Sequence, residues 1–171
     1  MADSGSHRRG VTGEHTVRGV PRGVTSITPY VGVPGTAEAI NFYREVFGAR
    51  VVETTARDGA IIHAHLDFGD GHLHLEEPDP ERGLSGPPSD GAAPFSLGYY
   101  CEDVDAVLAR AEAAGAEVLA PPLDFASGDR FVGIRDPYGL RWSIMSRVED
   151  LSERESAQRV DAWASRSQTS G

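Results

Sequence analysis

The chain has 171 residues, of which 39% are hydrophobic, 8% aromatic and 25% charged, with a formal net charge of −10 and a pI near 5.0. That length supports one domain with a sizeable core, and an acidic chain whose arginines are scattered lacks the cation cluster that a nucleic-acid partner requires. No apolar run approaches the roughly 18 residues of a membrane span, the first 30 residues lack a signal-peptide core, and the single Cys101 precludes an internal disulfide, so a cytoplasmic protein without a membrane partner is expected.

Residues 1–22 are rich in Gly, Ser, Arg and Thr and show no apolar period, which predicts a disordered tail. Ser26 to Val33 reads as a strand. Thr36 then caps a helix whose apolar positions Ile40, Tyr43 and Phe47 fall on one face, and Gly48 ends it. Beyond the strand that follows, Ile62, Ala64, Leu66 and Phe68 alternate with His63, His65 and Asp67, while Leu73 and Leu75 alternate with His72, His74 and Glu76. Period-two geometry gathers the polar set on one face. A two-residue turn at Gly69 and Asp70 sets His65 opposite His74, whereas a three-residue loop puts the pairs on opposite faces.

Residues 78–94, dense in Pro, Gly and Asp, read as a linker, and the same order of signals then returns. Phe95 to Cys101 is a strand, Asp103 a cap, Val104, Val107, Leu108 and Ala111 a buried stripe, and Gly115 a stop. The helix exits match as text, Gly48-Ala49-Arg50-Val51-Val52 against Gly115-Ala116-Glu117-Val118-Leu119, and a last hairpin turns at Asp136-Pro137-Tyr138-Gly139. A closing helix from Leu151 to about Trp163 starts at the capping box of Ser152 and Glu155, and Ser165 to Gly171 reads as a tail. An internal duplication accounts for this order: an α+β fold of two tandem βαβββ modules, about 25–77 and 95–147, in a domain over 23–147 followed by a C-terminal helix and tail over 148–171.

Asn41-Phe42-Tyr43-Arg44-Glu45-Val46-Phe47-Gly48-Ala49 is similar to the first-helix signature of the vicinal oxygen chelate superfamily, the glyoxalase, bleomycin-resistance and dioxygenase group. Gly128 to Gly139, followed by Arg141-Trp142-Ser143-Ile144, closely resembles the final hairpin of its PhnB-like branch, and Val148 to Ser152 is also typical of that branch. The resemblance implies a cupped mixed sheet with helices on the convex faces, a cavity inside and often a homodimer. Members include metal-dependent isomerases and dioxygenases, thiol transferases acting on fosfomycin, and metal-free proteins that sequester antibiotics, so function rests on the site and not on the fold.

The resemblance places the four metal-ligand positions of catalytic members at Thr28, at or near His74, at Ser96 and at Ser143. Three of these are hydroxyl residues, poor partners for a divalent cation, so neither a metal nor another cofactor is expected. By strand parity Tyr30, Ser96, Gly98, Tyr100, Ser143 and Met145 face the cavity, and Tyr99, Trp142 and Ile144 face the helices. The expected ligand-binding set is Tyr30, His63, His65, His72, His74, Glu76, Ser96, Tyr100 and Ser143. Asp129, Arg130, Arg135 and Asp136 read as holding the last hairpin together, and Cys101, beside Glu102 and Asp103, is poorly placed as a nucleophile.

Two functions fit these residues. One is a metal-free protein that binds a small organic ligand, either sequestering an antibiotic or handling a biosynthetic intermediate. The other is an isomerase, lyase or cyclase using His65 or His74 as a general base, with or without a divalent metal.

Overall fold

The computed structural model describes residues 13–167. Within the expected N-terminal tail, Thr16–Val17 (β1) and Val20–Pro21 (β2) pair as a small antiparallel ribbon, so this part is not irregular throughout. The rest of that expectation, residues 1–12, lies outside the described residues.

The first module runs Tyr30–Gly32 (β3), Thr36–Phe47 (α1), Arg50–Arg57 (β4), Ala60–Asp67 (β5) and His72–Glu76 (β6). After a short 3-10 turn at Pro80–Arg82, the second runs Leu97–Tyr100 (β7), Val104–Ala113 (α2), Glu117–Asp124 (β8), Asp129–Arg135 (β9) and Arg141–Arg147 (β10). Each builds a four-stranded mixed sheet, ordered β3-β6-β5-β4 and β7-β10-β9-β8, with the first strand parallel to the last and the other neighbours antiparallel. The duplication is therefore one of topology as well as of text, and the α+β fold of tandem βαβββ modules stands.

One apolar cluster joins both halves. Tyr43, Val46 and Phe47 of α1 and Val104, Val107 and Ala111 of α2 bury against Leu66 and Leu75 of the first sheet and Ile134, Trp142 and Ile144 of the second. Phe47 stacks on Trp142 at 4.5 Å between ring centres. The halves are also stitched by polar contacts. The last carbonyls of a helix have no partner within it; here Arg110 Nε donates to the Val46 carbonyl at 3.0 Å and Tyr99 Oη to the Phe47 carbonyl at 3.2 Å.

Asp103 caps α2 through the Ala106 amide as expected. Thr36 does not cap α1: it is the first helical residue and its hydroxyl donates to the Val33 carbonyl. The cap position is Gly35, and the acceptor for the Thr36 amide is the carboxylate of Glu77, at 2.6 Å and 41 residues away. A local signal could not reveal a cap supplied from so far along the chain. The final helix, Glu153–Ser167 (α3), starts from the Ser152 and Glu155 capping box and extends beyond Trp163, so the expected tail is helical as far as Ser167. It leans on the β8–β9 turn, with Trp163 edge-on to Phe125 and the Ser156 hydroxyl donating to the Ser127 carbonyl.

The last hairpin is organised by Asp136. Its Oδ1 accepts from the Tyr138 and Leu140 amides at 3.0 and 2.9 Å, and its Oδ2 from Tyr43 Oη and Trp142 Nε1 at 2.7 and 2.9 Å. Burial pushes this carboxyl above the usual range, opposed by the hydrogen bonds from Tyr43, Trp142 and the two amides. Asp129, Arg130 and Arg135 are likewise engaged with partners: Arg147 and Ser127 on Asp129, Asp105 and Asp124 on Arg130, and Glu117 on Arg135.

Candidate functional site

The face of the first sheet opposite its apolar core side carries the histidines. Phe68 and Gly71 close the β5–β6 turn, so Asp67 pairs with His72, Leu66 with Leu73 and His65 with His74. This is the register that a two-residue turn at Gly69 and Asp70 requires; Gly69 adopts φ 101°, a conformation few other residues accept. Because β3 runs parallel to β6 with Tyr30 opposite His74, the phenol ring comes to rest on an imidazole.

The result is an aromatic stack that crosses three strands. Tyr30 lies on His74 at 4.0 Å with the rings 4° from parallel, and His74 lies on His65 at 4.2 Å and 15°. Two further imidazoles tie down the inner members. His63 Nε2 is 2.9 Å from His74 Nδ1, and His65 Nε2 is 2.8 Å from His72 Nδ1. In each pair one nitrogen must carry the proton and the other accept it, so neither pair can form unless at least one ring is neutral or both are.

His65 and His74 are only 7% and 8% exposed, whereas Tyr30 is 57% exposed and forms the open end of the stack. Burial holds both buried imidazoles below the usual range, and the neighbouring histidines push the same way, His72 on His65 and His65 on His74. The flanking carboxylates are neutralised in part by arginines: Asp67 pairs with Arg50, and Glu76 with Arg82.

The pH dependence follows from these shifts. The unfolded chain takes up protons near the ordinary imidazole value of about 6.5, while the folded protein resists them at His65 and His74. Stability is thus expected to fall as pH drops below about 6.5, until the folded-state values are passed and the loss stops growing. Thermal melts between pH 7.5 and 5 check this, with a shallower fall expected for the doubly substituted His65→Gln, His74→Gln protein. An equally steep profile in that variant would contradict it.

The second sheet is different at the corresponding crossing. There Gly98 pairs with Ser143 and Ser143 with Gly133, where the first sheet has Tyr30, His74 and His65. Ser96 Oγ and Ser143 Oγ are 2.8 Å apart, and Tyr100, 57% exposed, reaches Asp129. A cavity of about 450 Å³ joins the two sheets, lined among others by His72, Phe68, Ser96, Gly98, Tyr100 and Trp142. A second, of about 650 Å³, holds His63 and Glu76 together with Arg57 and Arg82. Tyr30 and the histidines share one face as strand parity predicts, and Ile144 packs in the core; Tyr99 and Trp142, expected to face the helices, pack against the core and also line the cavity of about 450 Å³, whereas Tyr30 and Ser143 do not line it. The sequence did not single out Arg57 or Arg82 as wall residues, since loop and edge positions carry no alternation to read, and alternation set Phe68 on the apolar face, where it packs against the core and also lines the cavity.

The donors at the four implied chelating positions do not fit a divalent cation. Thr28 Oγ1 is satisfied by Thr25, Ser96 and Ser143 satisfy each other, and His74 Nδ1 is engaged by His63. One imidazole among three neutral hydroxyls is a weak donor set. Among the described residues, no group of three or more His, Cys, Asp or Glu is arranged to hold a metal ion, and no helix is long and apolar enough to cross a membrane.

The chain is 32% identical over 131 residues to the protein Rv0887c of Mycobacterium tuberculosis, covering 74% of this chain and 77% of that one. Among solved structures, TioX from Micromonospora sp. ML1 aligns with a TM-score of 0.57 at 23% identity, over 75% of this chain and all of that one. A PhnB protein from Bacillus cereus aligns with a TM-score of 0.55 at 22% identity, over 71% of this chain and 99% of that one. Residues 24–144 match the model of the Glyoxalase/Bleomycin resistance protein/Dioxygenase superfamily, and the chain belongs to that family.

Proposed function

We propose that this protein binds a small organic molecule carrying a flat ring, without a resident metal. The observation that carries this reading is the stack of Tyr30, His74 and His65, whose open end is the half-exposed ring of Tyr30, backed by two imidazoles that burial holds below the usual range. A planar ligand gains from offset stacking on such a surface, and His63, His72 and Glu76 at its rim supply hydrogen-bonding groups that fix orientation. Ser96 and Tyr100 contribute from the second module through the cavity that also reaches His72, and Ser143 is hydrogen-bonded to Ser96.

In this reading residues 23–147 form the binding domain of a cytoplasmic homodimer, and the role is to sequester an antibiotic or to handle a biosynthetic intermediate. Calorimetric titration with planar ring compounds, quinoline and a panel of aromatic and cationic antibiotics among them, tests it. Saturable binding by protein that elemental analysis finds free of stoichiometric metal is expected. No saturable binding across the panel, or one tightly held metal per chain, would falsify the reading.

A second reading draws on the two imidazole pairs. A neutral imidazole held by another at 2.8 or 2.9 Å is the arrangement of a general base with its orienting partner. It would serve an isomerase, lyase or cyclase acting on an enolisable substrate. Recovery of a bound carbonyl compound in altered form, with conversion lost in His74→Gln, would establish this reading over simple binding.

A further inference from the structure

We infer that the linker between the modules roofs a separate apolar subsite, and that the ligand joins its ring to a neutral hydrocarbon arm lodged there. This rests on the ring-binding reading above and extends it to the class of molecule.

The subsite is a cavity of about 280 Å³ bounded by β3, the linker and the β9–β10 turn. Its wall includes Val31, Leu84, Pro87, Pro94, Phe95 and Leu140. Among the described residues that line it, Arg141 alone is charged. A volume just below the roughly 300–1,000 Å³ of whole ligand sites suits one arm of a molecule, and a wall built mainly of Val, Leu, Pro and Phe side chains favours a hydrocarbon arm.

Tyr30 connects this cavity with the stack. It lines the cavity, and its ring covers His74. A ring bound beside Tyr30 therefore stands at the mouth of the subsite, and Phe95, 46% exposed, lines the same cavity.

The roof is also held in place. A Cβ on Gly32 would lie 2.5 Å from the Ser85 carbonyl oxygen, and one on Gly139 would lie 2.7 Å from Pro87, so the linker is seated directly on both modules. Asp79 accepts from the Glu81 and Arg82 amides and exchanges backbone hydrogen bonds with Leu84, which fixes the linker's entry. At its far end the Arg135 guanidinium occupies the space beside Gly91. A prolyl segment seated this way resists collapse, because proline has little conformational freedom to surrender.

Titration of the full chain with quinoline, 2-ethylquinoline and 2-butylquinoline tests the proposal. Each buried methylene is worth up to about fourfold in affinity, so a rise of at least about tenfold from quinoline to the butyl compound is expected. In Leu84→Ala and in Phe95→Ala, both at partly exposed positions, that rise should shrink below about threefold while quinoline itself binds within about twofold of the parent. If quinoline does not bind at all, the ring site and the subsite fall together. If quinoline binds but the butyl arm adds nothing, or adds as much in both variants as in the parent, the subsite is overturned and the ring site stands.

Discussion

Asp136→Ala is expected to destabilise the protein by about 3–5 kcal/mol, read as a fall in the denaturation midpoint at unchanged slope. The carboxylate is 4% exposed and receives four hydrogen bonds, two from backbone amides of its own turn and two from Tyr43 and Trp142. Truncation leaves those donors buried without an acceptor, and an unsatisfied buried donor costs about 1–3 kcal/mol. It also unties α1, the β9–β10 turn and β10, which meet at this one side chain. Asp136→Asn keeps one carbonyl acceptor but turns an amide group toward two donors, so about half the loss is expected. A midpoint within experimental error of the parent for Asp136→Ala would show that the hairpin does not depend on this carboxylate.

The second large effect is on binding. Tyr30→Ala should weaken the quinoline complex by about thirtyfold, in line with the roughly 2 kcal/mol typical of an aromatic anchor. Because Tyr30 is more than half exposed and projects from an edge strand, the melting temperature should change little. Tyr30→Phe should retain most of the affinity, since stacking needs the ring and not the hydroxyl. Undiminished binding to Tyr30→Ala would place the ring site away from this stack.

Much of this architecture was legible in the sequence. Alternation in the 62–76 segment placed every histidine on the correct face, and the Gly69-Asp70 turn fixed the register that sets His65 against His74. The stacking itself was not legible, because ring orientation depends on χ angles and on the parallel pairing of β3 with β6, a contact between segments more than 40 residues apart. The same limit hid the Glu77 cap on α1 and the seating of the linker on Gly32 and Gly139. Tail composition was a poorer guide: residues 16–21 pair although nothing periodic announces it, since a ribbon this short is specified by a tight turn and not by burial.

The contacts that Tyr99 and Arg110 make with the exit of α1 bear on how the duplicated protein comes apart. Repeats that touch only their neighbours through modular interfaces can fray one at a time. Here the first repeat borrows its finishing hydrogen bonds, and the aromatic packing of Phe47, from its twin. Neither copy is a complete folding unit, so melting should register as a single cooperative event, and a chain severed in the linker should regain its shape only when both fragments are present to complement each other.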